Sequence, residues 1–137
     1  MNNRFNNKVV IVTGGASGIG LETAHQFATE GAITIIADIN LEKKAEVMAA
    51  FKERNQKCVY YHVDVTKTDD VKNLVNTLME RYGTIDILVN NAGIEISGAI
   101  TDFAEEHYQQ LMDVNVKSVF LCSKYVLPHM MNSSSGV

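Results

Sequence analysis

Residues 8–20, KVVIVTGGASGIG, decide the fold of this chain. Lys8 to Thr13 is an unbroken apolar run rich in β-branched residues, which is typical of a strand covered on both faces. From Gly18 to Glu30 apolar residues recur at helical spacing, and Gly31 marks the end of that helix. A buried strand therefore leads through a glycine-rich turn directly into a helix.

The same alternation of strand and helix continues along the chain. The hydrophobic pattern predicts three more strands, at Ile33 to Ala37, Lys57 to Val63 and Ile85 to Val89. It also predicts three more helices: Leu41 to Arg54, Thr68 to Tyr82 with Thr68 as its cap, and Asp102 to Met131 with a break near Asp113 and a kink or early end at Pro128. Parallel neighbours need helical crossovers, and these are almost always right-handed. The predicted fold class is therefore α/β, a Rossmann-type doubly wound parallel sheet with strand order 3-2-1-4.

Composition limits the kinds of partner that the chain can have. The 137 residues suit one domain, and a net charge of -4 without a Lys/Arg cluster predicts binding neither to nucleic acid nor to an anionic membrane. The sequence contains no signal peptide and no apolar run of membrane-spanning length, so we expect a cytoplasmic protein. Cysteines and histidines lie at no metal-ligand spacing, so no metal site is predicted. Small molecules are the expected partners.

The glycine-rich turn, TGGASGIG at residues 13–20, is the first candidate site. Its glycines allow positive φ and a close approach of the backbone to a pyrophosphate, and the following helix presents free N–H groups to the anion. We therefore expect Gly14, Ser17, Gly18, Ile19 and Gly20 to bind the phosphates of a dinucleotide. The alternative is a tight strand-to-helix connection that uses glycine for packing alone.

Asp38 and the adjacent Ile39 form the second candidate, eighteen residues after Gly20 at the end of the second predicted strand. An acidic side chain there can accept hydrogen bonds from both hydroxyls of an adenosine ribose and repels a 2'-phosphate. The nearest bases, Lys43 and Lys44, lie a turn into the next helix. The sequence therefore predicts NAD as the cofactor, preferred over NADP. Alternatively, Asp38 caps that helix or occupies a turn.

Three motifs together resemble signatures of the short-chain dehydrogenase/reductase family. The first is Thr-Gly-x-x-x-Gly-Ile-Gly at residues 13–20, which differs from the plain G-x-G-x-x-G spacing. The second is Asn90-Asn91-Ala92-Gly93 after the fourth predicted strand, and the third is Asn115 within residues 112–116. The resemblance extends over essentially the whole chain but over only the first half of the family's usual domain. It therefore implies that residues 1–137 are a dinucleotide-binding domain that is incomplete at its carboxyl end.

The resemblance implies roles for residues that the spacing alone leaves open. Asp64 would accept a hydrogen bond from the adenine amino group and Val65 would pack near the ring, although Asp64 could equally be a turn residue. The segment containing Asn91, Ala92 and Gly93 would steady the sheet and border the cofactor ribose. Asn115 would take part in catalysis, holding a water in a proton relay through a local backbone distortion, or be an ordinary polar helix residue.

The family's catalysis uses a Tyr-x-x-x-Lys pair and a preceding serine, and this sequence lacks the pair. None of the five tyrosines is followed by a lysine four positions later. The sequence predicts a fragment, inactive alone, of an NAD-dependent oxidoreductase that transfers hydride between nicotinamide and a small alcohol or carbonyl substrate. The alternative is a non-catalytic NAD-binding or interaction module. Because the fourth strand and the last helix would be left uncovered, we also expect a homo-oligomer.

Overall fold

A parallel sheet of four strands in the order β3-β2-β1-β4 forms the centre of the protein. The computed structural model describes residues 3–137. The strands are β1 (Val9–Thr13), β2 (Ile33–Asp38), β3 (Cys58–His62) and β4 (Ile87–Val89). The helices are α1 (Gly18–Thr29), α2 (Lys44–Glu53), α3 (Thr68–Tyr82), α4 (Glu105–Met112) and α5 (Ser118–Ser133). The predicted Rossmann-type doubly wound sheet and its strand order are confirmed.

Two layers of side chains cover the faces of β1, as its apolar sequence predicts. Val9 and Ile11 point into a core that also contains residues of α3 and α5. Val10 and Val12 point the opposite way, into a core built with α1 and α2. All four side chains are at most 1% exposed, so β1 is a central strand with no face in solvent.

The prediction that Thr68 caps α3 is wrong. Thr68 is the first residue of that helix, and Lys67 occupies the cap position without a side-chain hydrogen bond. The turn before the helix closes through a hydrogen bond from the Lys67 amide to the Asp64 carbonyl, 3.0 Å long, so that the helix begins at Thr68 and the cap position falls on Lys67. Asp69 and Asp70 lie in the first turn, where their charges complement the helix dipole.

The long carboxyl-terminal helix divides where the sequence predicts a break. A π-helical turn over Asp113–Lys117 separates α4 from α5. Pro128 lies inside α5 but does not shorten it, since the helix continues to Ser133 and ends at Ser134 with φ 54°. Within residues 3–137, every helix is too short or too polar to cross a lipid bilayer.

The outer edge of β4 carries the last residue of the chain. The Val137 amide donates to the Asp86 carbonyl at 3.1 Å, and the Leu88 amide donates to the Val137 carbonyl at 2.9 Å. These two bonds flank Ile87 in the pattern of a parallel ladder. The β4 edge, expected to be bare, is therefore covered in part by Val137.

Candidate functional site

A cleft of about 740 Å³ lies where the carboxyl ends of the four parallel strands meet. All the residues predicted to bind a cofactor line it: Gly14, Ser17, Gly18, Ile19, Gly20, Asp38, Ile39, Asp64, Val65, Asn91, Ala92 and Gly93. They come from four separate connections, and the sheet brings them to one edge because all its strands run in the same direction. The lining contains two carboxylates, Asp38 and Asp64, and neither Lys nor Arg among residues 3–137.

The glycine-rich turn is shaped by close approaches that a side chain would prevent. Gly14 has φ 62°, and a Cβ atom on it would lie 2.9 Å from the Cα atom of Ala92. A Cβ atom on Gly20 would lie 2.3 Å from Asn91 Nδ2 and 2.4 Å from the Gly14 carbonyl oxygen. Ser17 is the N-cap of α1 and makes no side-chain capping bond, which leaves the first amides of the helix available to an anion in the cleft.

A set of hydrogen bonds between Thr13 and Asn91 fastens the turn after β1 to the turn after β4. The Thr13 hydroxyl accepts from the amides of Asn91 and Ala92, both at 3.0 Å. The Asn91 side-chain amide donates to the carbonyls of Thr13, at 3.0 Å, and Gly14, at 3.2 Å. Asn91 therefore ties neighbouring strands together, which is the structural half of the role expected for its segment.

Asp38 lies at the end of β2 and is not a helix cap. Its Oδ2 atom accepts from the Ala16 amide at 3.0 Å, across the glycine-rich turn. Its Oδ1 atom accepts from the Asn40 amide at 2.8 Å, so Asp38 also shapes the local turn. The next helical segment, a 3-10 turn at Leu41–Lys43, is instead capped by Asn40, whose side chain accepts from the Glu42 amide.

Asp64 follows β3 and closes its own turn. Its Oδ1 atom accepts from the Thr66 amide at 3.0 Å and from the Thr66 hydroxyl at 2.6 Å. Burial opposes ionisation of this carboxyl, but the Thr66 hydrogen bonds and the nearby charges of Lys67 and His62 outweigh burial and lower its pKa. Asp64 is therefore an anion at neutral pH, and its turn role is compatible with a further acceptor role at Oδ2.

Asn115 lies within the π-helical turn, beside the cleft. Its Oδ1 atom accepts from the Ile94 amide at 2.8 Å, and its Nδ2 atom donates to the Ile94 carbonyl at 2.9 Å. The side-chain amide thus fixes the backbone that follows Gly93. The implied backbone distortion at Asn115 is present, because a π turn interrupts the regular helical hydrogen bonds there.

Sequence reasoning missed several residues that line the cleft or join the turns around it. Thr13 stands in the sequence only as part of the glycine-rich motif, yet its buried hydroxyl joins two of the turns. The cleft lining itself includes three residues that were not predicted, Asn40, Thr66 and Ile94. The role of Asn40 could have been predicted from the sequence, because an asparagine just before a helical pattern is a frequent N-cap. The role of the Ile94 backbone could not, since it depends on contact with Asn115, 21 positions later.

Comparison with known proteins assigns the chain to a family. The family model described as short chain dehydrogenase matches residues 8–137. The chain therefore belongs to the short-chain dehydrogenase family, as its motifs predict.

Relatives and solved structures agree with this assignment. A meso-2,3-butanediol dehydrogenase of Serratia marcescens is 35% identical over 134 residues, covering 98% of this chain and 53% of the relative. A 3-oxoacyl-(acyl-carrier-protein) reductase of Thermotoga maritima is 37% identical over 133 residues, 97% of this chain and 54% of the relative. The structure of an NAD+-bound xylitol dehydrogenase matches with a TM-score of 0.92 and 31% identity, over 97% of this chain and 52% of that one. The chain thus spans about half the length of the relatives it matches.

Proposed function

We propose that this chain is the dinucleotide-binding half of an NAD-dependent, cytoplasmic oxidoreductase that moves hydride between nicotinamide and a small alcohol or carbonyl. One observation carries the proposal: the glycine-rich turn, Asp38 and Asp64 line a single cleft, and they follow β1, β2 and β3, which are neighbours in that order. These are the groups that a pyrophosphate, a ribose and an adenine require, in the order in which they are joined in NAD.

The turn fits a pyrophosphate because its exposed residues Ser17, Gly18 and Ile19, at the start of α1, line the cleft. Side chains on Gly14 or Gly20 would collide with the turn after β4, so the bare backbone is what allows the two turns to meet. The uncapped N-terminus of α1 adds N–H groups and the positive end of a helix dipole. Phosphate oxygens can accept hydrogen bonds from such amides.

The charges of the cleft support a preference for NAD over NADP. Asp38 offers carboxylate oxygens to the ribose hydroxyls, and its charge would repel a 2'-phosphate. Lys43, a candidate for compensating that phosphate, lies 3.7 Å from the Glu46 carboxylate instead. Asp64 adds a second negative charge to the lining of the same cleft.

The segment from Asn91 to Gly93 is proposed to border the nicotinamide ribose, and Asn115 to hold that segment in position. Bound nicotinamide supplies the hydride acceptor or donor. Each polar atom of the Asn115 side chain makes one hydrogen bond to Ile94, and each keeps a second acceptor or donor position that would be available to a relay water. The proton exchange itself needs a tyrosine and lysine pair absent from these 137 residues, so we expect no turnover by this chain alone.

Calorimetric titration of the 137-residue chain with NAD(H) and NADP(H) tests the cofactor. We expect NAD(H) to bind weakly, with a Kd above the micromolar range, because the chain spans only about half the length of its relatives. Through loss of the ribose contacts alone, Asp38→Ala should weaken NAD by about tenfold, the effect of losing hydrogen bonds to a charged acceptor, and NADP by less. Glu42→Gln removes a charge from the same loop and serves as the control. An unchanged preference in Asp38→Ala would remove Asp38 from the ribose role.

The length of the encoded reading frame distinguishes the oxidoreductase proposal from the alternative of a non-catalytic NAD-binding module. If the transcript continues past Val137 into a segment with Tyr-x-x-x-Lys, the longer protein should reduce a carbonyl with NADH, and the binding-module hypothesis is wrong. If translation stops at Val137 and no partner restores turnover, the oxidoreductase proposal fails while NAD binding is still measurable.

A further inference from the structure

We propose that Asp38 has a second role, which is to hold the glycine-rich turn in its phosphate-binding shape before any ligand arrives. The inference rests on the proposed function for the identity of the ligand, but its physical basis is present in the ligand-free chain. The carboxylate accepts from two backbone amides, those of Ala16 and Asn40. Asp38 is thus a positioning residue for the pyrophosphate as well as a candidate ribose contact.

The Ala16 amide is the point at which the turn is fixed. Ala16 lies between Gly14 and Gly18, and it is only 3% exposed, in the core shared by β1 and α1. An amide at such a position needs an acceptor, because an unpaired buried N–H group is costly. Asp38 Oδ2 supplies that acceptor at 3.0 Å.

The turn and the end of β2 are joined at two places. Besides the Ala16 contact, the Gly14 amide donates to the Ala37 carbonyl at 2.8 Å. The backbone bond fixes the beginning of the turn, and Asp38 fixes its middle. Without the Asp38 carboxylate, the glycine-rich turn would be attached to β2 only through the hydrogen bond from the Gly14 amide to the Ala37 carbonyl.

Asp38 is itself held in place from the other side. Its Oδ1 atom accepts from the Asn40 amide, and the Asn40 carbonyl accepts from the Tyr60 hydroxyl of β3. Burial and the charge of Asp38 raise the pKa of Tyr60 to about 12, so this hydroxyl remains a donor at neutral pH. The contacts form a continuous path from β3 through Asn40 and Asp38 to Ala16.

A positioning role for Asp38 has a consequence that ribose recognition alone does not have. If Asp38 acts only on ribose hydroxyls, its loss does not weaken any ligand that lacks them, and the removal of its negative charge slightly favours an anionic ligand. If it also positions the turn, its loss weakens every ligand that carries a pyrophosphate. The two ligands that separate these cases are ADP and 2',3'-dideoxy-ADP, which share the pyrophosphate and adenine and differ only in the hydroxyls.

The experiment combines amide exchange by NMR with titration of both ligands. In the ligand-free chain, Asp38→Ala should speed exchange of the Ala16 amide by about tenfold, the scale of one hydrogen bond to a charged group. The same variant should weaken dideoxy-ADP by a similar factor. Glu42→Gln, which removes a negative charge from the same loop but no contact to the turn, should change neither value.

A second variant separates local loosening from misfolding. Asp38→Asn retains one oxygen acceptor for two amides and should give intermediate values for Ala16 exchange and for dideoxy-ADP binding. Unchanged Ala16 exchange and unchanged dideoxy-ADP affinity in both variants would overturn the positioning role. Failure of the unsubstituted chain to bind ADP or NAD would refute the proposed function instead, and Ala16 exchange would still decide whether Asp38 holds the turn.

Discussion

Replacing Gly20 by alanine places a methyl group where two turns of the cleft meet. The new Cβ atom would lie 2.4 Å from the Gly14 carbonyl oxygen and 2.3 Å from Asn91 Nδ2. An ordinary van der Waals contact begins at 3.4 Å. The carbonyl or the helix start must therefore shift by about 1 Å, the difference between the required and available separations.

The cost follows from the hydrogen bonds that such a shift breaks. Asn91 Nδ2 donates to the Gly14 carbonyl at 3.2 Å and to the Thr13 carbonyl at 3.0 Å, and neither bond survives a movement of that size. Each part-buried group left unpaired costs about 1–3 kcal/mol. The better helix propensity of alanine offsets about 1 kcal/mol. We therefore expect Gly20→Ala to lower the free energy of unfolding by about 3 kcal/mol.

Urea denaturation followed by circular dichroism measures this loss, and Gly18→Ala is the matched control. Gly18 has φ 55° but open space around it, with nothing within 4 Å of a Cβ atom. Its replacement should therefore cost only the left-handed backbone penalty, about 1–2 kcal/mol. If Gly20→Ala is less destabilising than Gly18→Ala, or is neutral, the steric argument is refuted.

Three further predictions concern other parts of the chain. Asn115→Ala should lower the free energy of unfolding by about 1 kcal/mol and speed amide exchange at Ile94, because it removes two hydrogen bonds that water partly replaces. An Ile94 amide as well protected from exchange as in the unsubstituted chain would contradict this prediction. Burial raises the pKa of Cys58 to about 12 and of Cys122 to about 11. Both thiols should therefore react slowly with iodoacetamide at about pH 8, and the labelling rate should increase steadily as the pH rises. Rapid labelling of the native chain at about pH 8 would contradict the raised pKa values of the two thiols. Self-association is expected through the apolar outer face of α5, where Phe120 is 60% exposed. Phe120→Glu should shift the light-scattering mass toward monomer, whereas an unsubstituted chain that is monomeric at high concentration would argue against the prediction.

Local pattern was enough to predict most elements of the fold. The apolar β-branched run before the glycine-rich turn predicted β1, and both its faces are buried. The helix at Thr68–Tyr82 has the predicted bounds, because its apolar spacing is regular and Gly83 ends it with φ 72°. The fourth strand is shorter than predicted. Ile85 is buried at 2% exposure but lies before the ladder, so its apolar character reflects core packing rather than strand pairing.

The sequence by itself also indicated that the twelve candidate cofactor-binding residues lie at one cleft, since motifs at the ends of parallel strands are brought to one edge of the sheet. Only the tertiary structure decided how these residues support one another. Thr13 and Asn91 are 78 positions apart, and Asp38 is 22 positions from Ala16. Hydrophobic periodicity records burial along one segment and is insensitive to such pairings. They depend on strand register and on the path of each turn, which are settled only when the segments pack together.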